Sequence, residues 1–260
     1  MPLEERTALL RRISARMSVD RDRLAGILTA EQGKPLAEAR AEVDYARSFL
    51  DIGADEAERM PMVSELDARI TGKEILLHPT AVGVIAAITP WNFPIAMLAK
   101  KVAPAFATGC TMVLKPAEET PLSALAFGEI CTEEGLPPGV LNIVTGQPAV
   151  VGGELLANPL VRKVSFTGST EVGRILVQSS ARNLTRLALE LGGHAPFIVT
   201  ERADLEAAIE GAITCKFRNG GQACISANRF LVEESVHGAF VAGLQHAVER
   251  LVVGRGTVEG

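Results

Sequence analysis

Apolar residues in the first third of the chain recur at the three- and four-residue spacing of amphipathic helices. One helix is predicted to begin at Ser18 or Asp20, with Asp22 in its first turn, where a negative charge suits the helix dipole. It should end at Gly33, because a lysine and a proline follow. A second helix is predicted from Leu36. Its apolar face comprises Ala39, Val43, Ala46, Phe49 and Leu50.

A bridging β-ribbon is predicted at about residues 66–80. Its strands are expected at 68–70 and 74–77, with a turn at Thr71, Gly72 and Lys73. From Val82 onward the pattern changes to short, fully apolar runs that alternate with amphipathic segments.

This alternation indicates an α/β fold with a Rossmann-like parallel sheet that has helices on both faces. The predicted strands are 83–88, 111–114, 141–144 and 163–166, and the predicted helices are about 94–107, 121–134, 150–157 and 171–182. Sheets of this kind bind ligands at the carboxyl ends of their strands. The residues that follow each strand are therefore the candidates for chemistry.

The composition narrows the class of protein. A net charge of -5 without a basic run argues against nucleic acid or an anionic membrane as a partner. The most apolar region, 81–114, is interrupted by prolines and lysines, so it is interpreted as buried core and not as a membrane span. No signal peptide is apparent, and the 4 cysteines form no CxxC pair. We therefore expect a soluble cytoplasmic protein with reduced thiols and no metal site.

The first strand leads into a segment in which prolines flank Trp91 and Asn92. Two prolines restrict the backbone there, and an amide held rigidly at a strand end can donate a hydrogen bond to a developing oxyanion. The alternative is that Asn92 caps the next helix. Taken alone, the cap is favoured.

The second strand ends at Lys115, with Glu118 close behind. An acidic residue at this position can bind both hydroxyls of an adenosine ribose. The alternative, a solvated pair of charges, is favoured in isolation.

The fourth strand ends in glycines and small hydroxyl residues at 167–173, and a helix follows. Backbone N–H groups and the helix dipole make this a weak candidate for a phosphate site. A plain capped turn is the alternative, since no GxGxxG fingerprint occurs in the chain.

Glu190 stands just before Gly192 and Gly193. In a partly apolar setting its carboxylate could act as a general base. An ordinary glutamate at a strand end is equally consistent with the sequence.

Cys224 differs from the other cysteines because Gly220 and Gly221 make a tight loop just before it. We predict that a helix follows and places the thiol near its N-terminus, which favours the thiolate. Cys110 and Cys131 fit the ordinary description of a buried, inert thiol.

Taken together and in this order, these segments resemble the aldehyde dehydrogenase superfamily. The motifs are Pro-Trp-Asn-Phe-Pro at 90–94, Lys-Pro-x-Glu-x-Thr-Pro at 115–121, Phe-Thr-Gly-Ser-Thr-Glu-x-Gly at 166–173, Glu-Leu-Gly-Gly at 190–193 and Gly-Gln-x-Cys at 221–224. Residues 31–35 are also similar to the N-terminal helical region of that family. The likeness covers nearly the whole chain.

The resemblance implies a catalytic set of Cys224, Asn92 and Glu190. Cys224 attacks the aldehyde carbon, and the Asn92 amide with the backbone N–H of Cys224 holds the oxyanion. Hydride leaves for the cofactor, and Glu190 activates the water that hydrolyses the resulting thioester. The same glutamate argues against a CoA-acylating enzyme.

The resemblance also implies an NAD cofactor, with NADP as the alternative. Glu118 favours NAD, because a carboxylate near the ribose 2′-hydroxyl repels a 2′-phosphate. Lys115 and Glu118 would bind the ribose, and Ser169 the pyrophosphate. The other expected cofactor-binding residues are Ile88, Pro90 and Trp91 on the nicotinamide side, Gly146 and Gly152 on the adenine side, and Phe166, Gly168 and Leu191.

The chain is most similar to the succinate-semialdehyde dehydrogenase branch. Arg218 would then form a bidentate clamp on the distal carboxylate of the substrate. Lys100 replaces a second family arginine, which keeps the charge and loses the fork geometry. Ser226 stands where some members of that branch have a second cysteine.

By this resemblance, residues 1–192 form a cofactor-binding domain and residues 193–260 the N-terminal part of a catalytic domain. The chain is expected to be truncated at both ends, and its full-length relatives to be homo-oligomers. Exposed strand edges would make such a piece poorly stable. An inactive fragment that retains only nucleotide or partner binding is the alternative to an active enzyme.

Overall fold

The computed structural model describes residues 1–60, 64–66 and 75–257, with the backbone alone at 64–66 and 75. The helices are α1 (Leu3–Val19), α2 (Arg21–Gln32), α3 (Leu36–Arg59), α4 (Pro94–Ala107), α5 (Leu122–Glu133), α6 (Pro148–Ala157), α7 (Thr170–Ser180), α8 (Leu205–Phe217) and α9 (Glu234–Glu249). The strands are β1 (Ser64–Leu66), β2 (Ile75–Leu77), β3 (Val84–Ile88), β4 (Thr111–Lys115), β5 (Leu141–Ile143), β6 (Val161–Gly168), β7 (Arg186–Leu191), β8 (Ala195–Val199) and β9 (Ala227–Val232).

The main sheet has five parallel strands in the order β5-β4-β3-β6-β7. The chain builds outward from β3 on one side and then returns to continue on the other side at β6. This reversal makes a topological switch point between β3 and β6, where open α/β sheets bind their ligands. In register, Ile88 pairs with both Lys115 and Phe166, so the three lie side by side at the carboxyl edge.

Both faces of the sheet are covered. On β3, Ile85 and Ala87 are buried in the larger core, which α1–α5 complete. Ala86 points the other way, into a smaller core with residues of β6, α6 and α7. The continuous apolar run of β3 is therefore explained by burial on two sides, as expected for a parallel sheet between helical layers.

The three N-terminal helices form a layer against α4. Gly53 of α3 allows the closest approach, because a Cβ at this position would lie 2.9 Å from the Cβ of Ala103. The segment after α9 returns to this layer, where the backbone N–H of Leu36 donates to the carbonyl of Gly256 at 2.8 Å.

A second, two-stranded sheet pairs β8 and β9 in parallel. Phe197, Phe230 and Phe240 form its small core with α8 and α9, and successive ring centroids lie 5.3 and 6.4 Å apart. This unit carries the Cys224 loop, since α8 ends just before the loop and β9 begins just after it.

The predicted parallel sheet and its flanking helices are confirmed. The four predicted strands correspond to β3, β4, β5 and β6, with ends displaced by a few residues at most, whereas β7 was not among the predicted strands. Helix α2 ends where predicted, with Gly33 in a left-handed conformation at φ 92°. Asp20 precedes that helix without a side-chain capping bond, and its carboxylate pairs with Arg16 and Arg23. Strand β2 agrees with the ribbon prediction, whereas the predicted turn and the strand at 68–70 lie outside the described residues.

No helix in the described part of the chain has the length and hydropathy to cross a lipid bilayer.

Candidate active site

A cleft of about 660 Å³ opens between the carboxyl edge of the main sheet and the Cys224 loop. It brings together ten of the residues singled out from the sequence, namely Pro90, Trp91, Asn92, Lys100, Gly168, Ser169, Glu190, Leu191, Arg218 and Cys224. The other six, Ile88, Lys115, Glu118, Gly146, Gly152 and Phe166, lie outside its lining. All three residues of the expected catalytic set therefore face one cavity.

Asn92 is fixed by hydrogen bonds on both its backbone and its side chain. Its Oδ1 accepts from the backbone N–H of Phe93 at 3.1 Å, and its Nδ2 donates to the carbonyl of Gln222 at 2.9 Å. The residue that precedes α4 is Phe93, and no side chain of its own segment caps this helix. The helix-cap interpretation of Asn92 is therefore wrong. One amide hydrogen is held by the Cys224 loop, and the second has no acceptor within the described residues.

The loop before Cys224 contains three consecutive left-handed residues. Asn219, Gly220 and Gly221 have φ values of 58°, 61° and 81°. Glycine adopts this conformation without strain, and asparagine tolerates it better than most residues. The chain turns sharply here and leaves Cys224 exposed on the cleft. Among the described residues, no acceptor takes the backbone N–H of Cys224.

The prediction that a helix follows Cys224 is wrong, because β9 begins three residues later at Ala227. This segment is a strand because it pairs in parallel with β8, with Phe230 opposite Phe197 and Val232 opposite Val199. The helix of this region is α8, which precedes the loop. A helix N-terminus therefore plays no part in presenting the thiol.

Glu190 lies at the end of β7, and its side chain is 58% exposed and paired with Lys100 at 3.3 Å. The expected partly apolar setting is therefore not what surrounds this carboxylate. Instead it faces the cleft beside a cation. Cys224 and Glu190 both line this cavity.

Lys101 is a buried cation that the sequence motifs did not reveal. Its Nζ donates to Ser165 Oγ of β6 at 3.1 Å. Burial lowers the pKa of Lys101 to about 8, the positive charge of Lys100 acts in the same direction, and the negative charge of Glu190 opposes the shift. Its position directly after Lys100 in an apolar helix was the available signal.

Arg218 reaches the cleft from the end of α8, and its guanidinium lies 5.6 Å from the centroid of the Phe93 ring. No described carboxylate forms an ion pair with it. Lys100, Lys216 and Arg218 thus give the Cys224 cavity three cationic side chains, which is an arrangement suited to an anionic ligand group.

The part of the cleft formed by the end of β6 and the start of α7 has features of a nucleotide site. Ser169 accepts from the backbone N–H of Val172 at 3.2 Å and so caps α7, whose N-terminus faces the cleft. The Oγ1 of Thr167 is buried in the lining without a partner among the described residues. Beyond it at the sheet edge, Lys115 is buried and donates to Glu118 at 2.5 Å. The solvated-pair interpretation is therefore wrong for Lys115, and a ligand phosphate or hydroxyl would find polar groups here.

The doubly wound sheet, with the cleft at its carboxyl edge, is typical of nucleotide-binding enzymes. A comparison of sequences agrees with this class. The sequence profile of the aldehyde dehydrogenase family matches residues 1–260, so the chain belongs to this family.

Two curated relatives and one solved structure are similar to nearly the whole chain. The chain is 51% identical over 257 residues to a glutarate-semialdehyde dehydrogenase of Pseudomonas putida, covering 99% of this chain and 53% of the relative. It is 49% identical, with the same coverage, to the succinate-semialdehyde dehydrogenase [NADP(+)] GabD of Escherichia coli. The crystal structure of succinate-semialdehyde dehydrogenase from Burkholderia pseudomallei superposes with a TM-score of 0.98 at 52% identity, covering 100% of this chain and 54% of that one. The chain spans about half the length of the curated relatives it matches.

Proposed function

We propose that this chain carries the thiol chemistry of an NAD(P)-dependent dehydrogenase that oxidises a carboxylated semialdehyde to the acid. One observation supports this most directly. A single cleft is lined by an exposed cysteine, a rigidly held amide, a carboxylate and three cations. The family membership and the names of the relatives agree with this chemistry.

Cys224 is the nucleophile in this proposal. Its thiolate adds to the aldehyde carbon, and the carbonyl oxygen becomes an oxyanion. The second hydrogen of the Asn92 amide and the backbone N–H of Cys224, neither of which has an acceptor in the described part of the chain, are the donors available to it. Fixed donors of this kind stabilise developing charge, and the loss of one typically lowers kcat about 100- to 1000-fold.

The cofactor, when bound, supplies the acceptor for the hydride that leaves the substrate carbon. The residues present fit it, since Thr167 offers an unpartnered hydroxyl and Ser169 stands at a helix N-terminus on the cleft. We assign Lys115 and Glu118 to the ribose and Ile88, Pro90 and Trp91 to the nicotinamide side. Phe166, Gly168 and Leu191 are the further cofactor contacts in this proposal. Gly146 and Gly152, at the loop and helix after β5, are assigned to the adenine side.

Oxidation leaves an acyl group on Cys224 as a thioester. Glu190 then takes the proton from a water that attacks the thioester carbon, and the acid is released. Its contact with Lys100 at 3.3 Å keeps the carboxylate directed into the cavity. The solvent exposure of Glu190 provides a route for that water.

Of the three cations that line the cleft, Arg218 and Lys100 are assigned to the anionic group of the substrate. Arg218 has no described carboxylate partner and is available to pair with the distal anionic group of a semialdehyde. Lys100 adds charge from the other wall, although it shares that charge with Glu190. We assign residues 1–192 to cofactor binding and residues 193–260 to the catalytic unit.

The test is cofactor reduction by the purified chain with succinate semialdehyde, glutarate semialdehyde and an uncharged aldehyde of equal length. The proposal predicts turnover of the charged substrates with NAD+ or NADP+. Cys224→Ala should abolish this turnover, and Cys110→Ala is the control because that thiol is buried away from the cleft. An absence of aldehyde oxidation together with retained binding of NAD+ would favour the alternative of a nucleotide-binding fragment.

A further inference from the structure

The segment at 31–35 is a motif that the proposed chemistry does not use. Glu31 accepts from the backbone N–H groups of Leu122 and Ser123 at 2.7 and 2.9 Å and so holds the start of α5. Lys34, three residues later, has a side chain that is 0% exposed and forms an ion pair with Glu42, which is 1% exposed. The ammonium of Lys34 also donates to the backbone carbonyl of Asn92 at 2.9 Å.

Glu42 extends this contact to the helix that follows Asn92. Its Oε1 accepts from the backbone N–H groups of Ile95 and Ala96 at 3.0 and 3.2 Å. These are orphan donors of the first turn of α4, which lacks a capping side chain of its own. A carboxylate at a helix N-terminus is also favoured by the dipole. The ion pair therefore holds both sides of the Asn92 segment.

Asn219 completes the network from the Cys224 loop. Its Nδ2 donates to the same carbonyl of Asn92 at 2.7 Å and to the carbonyl of Gln222 at 3.2 Å. Its backbone N–H donates to Glu38, one turn before Glu42 on α3. Helix α3 thus holds the oxyanion amide and the cysteine loop at once.

Burial disfavours the charged forms of both Lys34 and Glu42. Burial raises the pKa of Glu42 and lowers that of Lys34, and the charge of each partner opposes the shift of the other. A buried ion pair is often no more stable than well-packed apolar residues of similar volume. General stability is therefore a weak reason for this arrangement, whereas the contacts with Asn92 and α4 are specific.

We propose that Lys34 and Glu42 are positioning residues, which act through Asn92 by fixing its amide against the Cys224 loop. The role rests on the proposed function, since it presumes that the Asn92 amide serves the oxyanion. The residues themselves do not line the cleft.

The test separates positioning from stability with two variants. Lys34→Met leaves a lone buried carboxylate and should unfold at a much lower temperature. Lys34→Met/Glu42→Gln removes both charges and keeps an amide oxygen for Ile95 and Ala96, so its Tm should recover most of the loss. Phe127→Leu, a substitution of a buried core residue of α5, is the matched control for lowered stability.

Amide hydrogen exchange is measured for residues 89–93 and 219–224, with strand β4 as the internal reference. The proposal predicts exchange at least about tenfold faster in these two segments in the double variant, even where its Tm recovers. In Phe127→Leu, any change in the exchange rate should correspond to the change in Tm. Exchange in the double variant that equals the wild type, or that rises equally in β4, would overturn the proposal.

A kinetic arm distinguishes this proposal from the proposed function. The double variant should lower kcat about 10- to 100-fold with the KM for the cofactor unchanged. The effect should disappear in an Asn92→Ala background, because the pair acts through that residue. Additive effects would overturn the positioning role. A wild-type chain that oxidises no aldehyde contradicts the proposed function, and the exchange measurement then decides the positioning role by itself.

Discussion

Replacement of Asn219 by alanine should destabilise the protein and loosen the Cys224 loop. The side chain is 1% exposed, and its Nδ2 donates two hydrogen bonds, at 2.7 and 3.2 Å. Each is worth about 1 kcal/mol net. The backbone at φ 58° adds roughly 1 kcal/mol of strain for alanine. The expected loss is therefore about 3 kcal/mol, or a fall in Tm of roughly 6–12 °C for a chain of this size.

Two further variants separate the contribution of the hydrogen bonds from that of the backbone strain. Asn219→Gly loses the same hydrogen bonds but accepts the left-handed backbone, so it should be more stable than Asn219→Ala by about 1 kcal/mol. Asn183→Ala is the matched control, because its side chain also donates to two carbonyls, both at 3.0 Å, in a segment away from the cleft.

The assay combines thermal unfolding with the rate of Cys224 alkylation by iodoacetamide. Asn219→Ala should alter the alkylation rate several-fold, and Asn183→Ala should leave it unchanged. The reasoning is refuted if the two alanine variants have equal Tm and equal alkylation rates, or if glycine at 219 is less stable than alanine.

Three other predictions concern packing, pH and cofactor choice. Gly53→Ala should destabilise the protein by about 2 kcal/mol in thermal unfolding, because the new Cβ contacts Ala103. Gly26→Ala should stabilise it by about 0.5–1 kcal/mol, because this position in the interior of α2 has open space around it. The opposite order of stability would contradict the close approach of α3 and α4. The pKa of Lys101 falls from 10.5 in the unfolded chain to about 8, so the penalty for its buried charge is fully present below pH 8 and is lost as the pH rises towards 10.5. The free energy of unfolding of the wild type relative to Lys101→Met should then rise by about 3 kcal/mol over that interval, and a flat difference would show that the ammonium is solvated. Glu118→Ser should raise the ratio of kcat/KM for NADP+ to that for NAD+ about tenfold, and an unchanged ratio would remove Glu118 from the ribose site.

The sequence predicted the elements of the main sheet well because their signals are local. The fully apolar run of β3 predicts a buried strand by itself, and the helical spacing of apolar residues after Leu36 predicts the buried face of α3. Strand β9 was missed for the opposite reason. It is a strand because it pairs with β8, which lies about thirty residues earlier in the chain. The residues around β9 carry no local signal for that pairing.

The same distinction applies to the candidate site. The motifs at the strand ends were enough to predict that Asn92, Glu190 and Cys224 act together, and the three residues line one cleft. The capping of α4 was misassigned to Asn92 because the true acceptor, Glu42, comes from a different helix, 53 residues away from Ile95. Rules for helix caps consider only neighbours in sequence. A lysine between glycine and proline, followed by an acid eight residues later, was the signal for the buried pair.

The most direct test of the central claim is the identification of the acylated residue. A Glu190→Gln variant should form the thioester and hydrolyse it slowly. After brief incubation with succinate semialdehyde and NAD+ or NADP+, peptide mass spectrometry should find the acyl group on Cys224 and on no other cysteine. An acyl group on Cys110, Cys131 or Cys215, or no acylation while the variant still reduces the cofactor, would contradict the account.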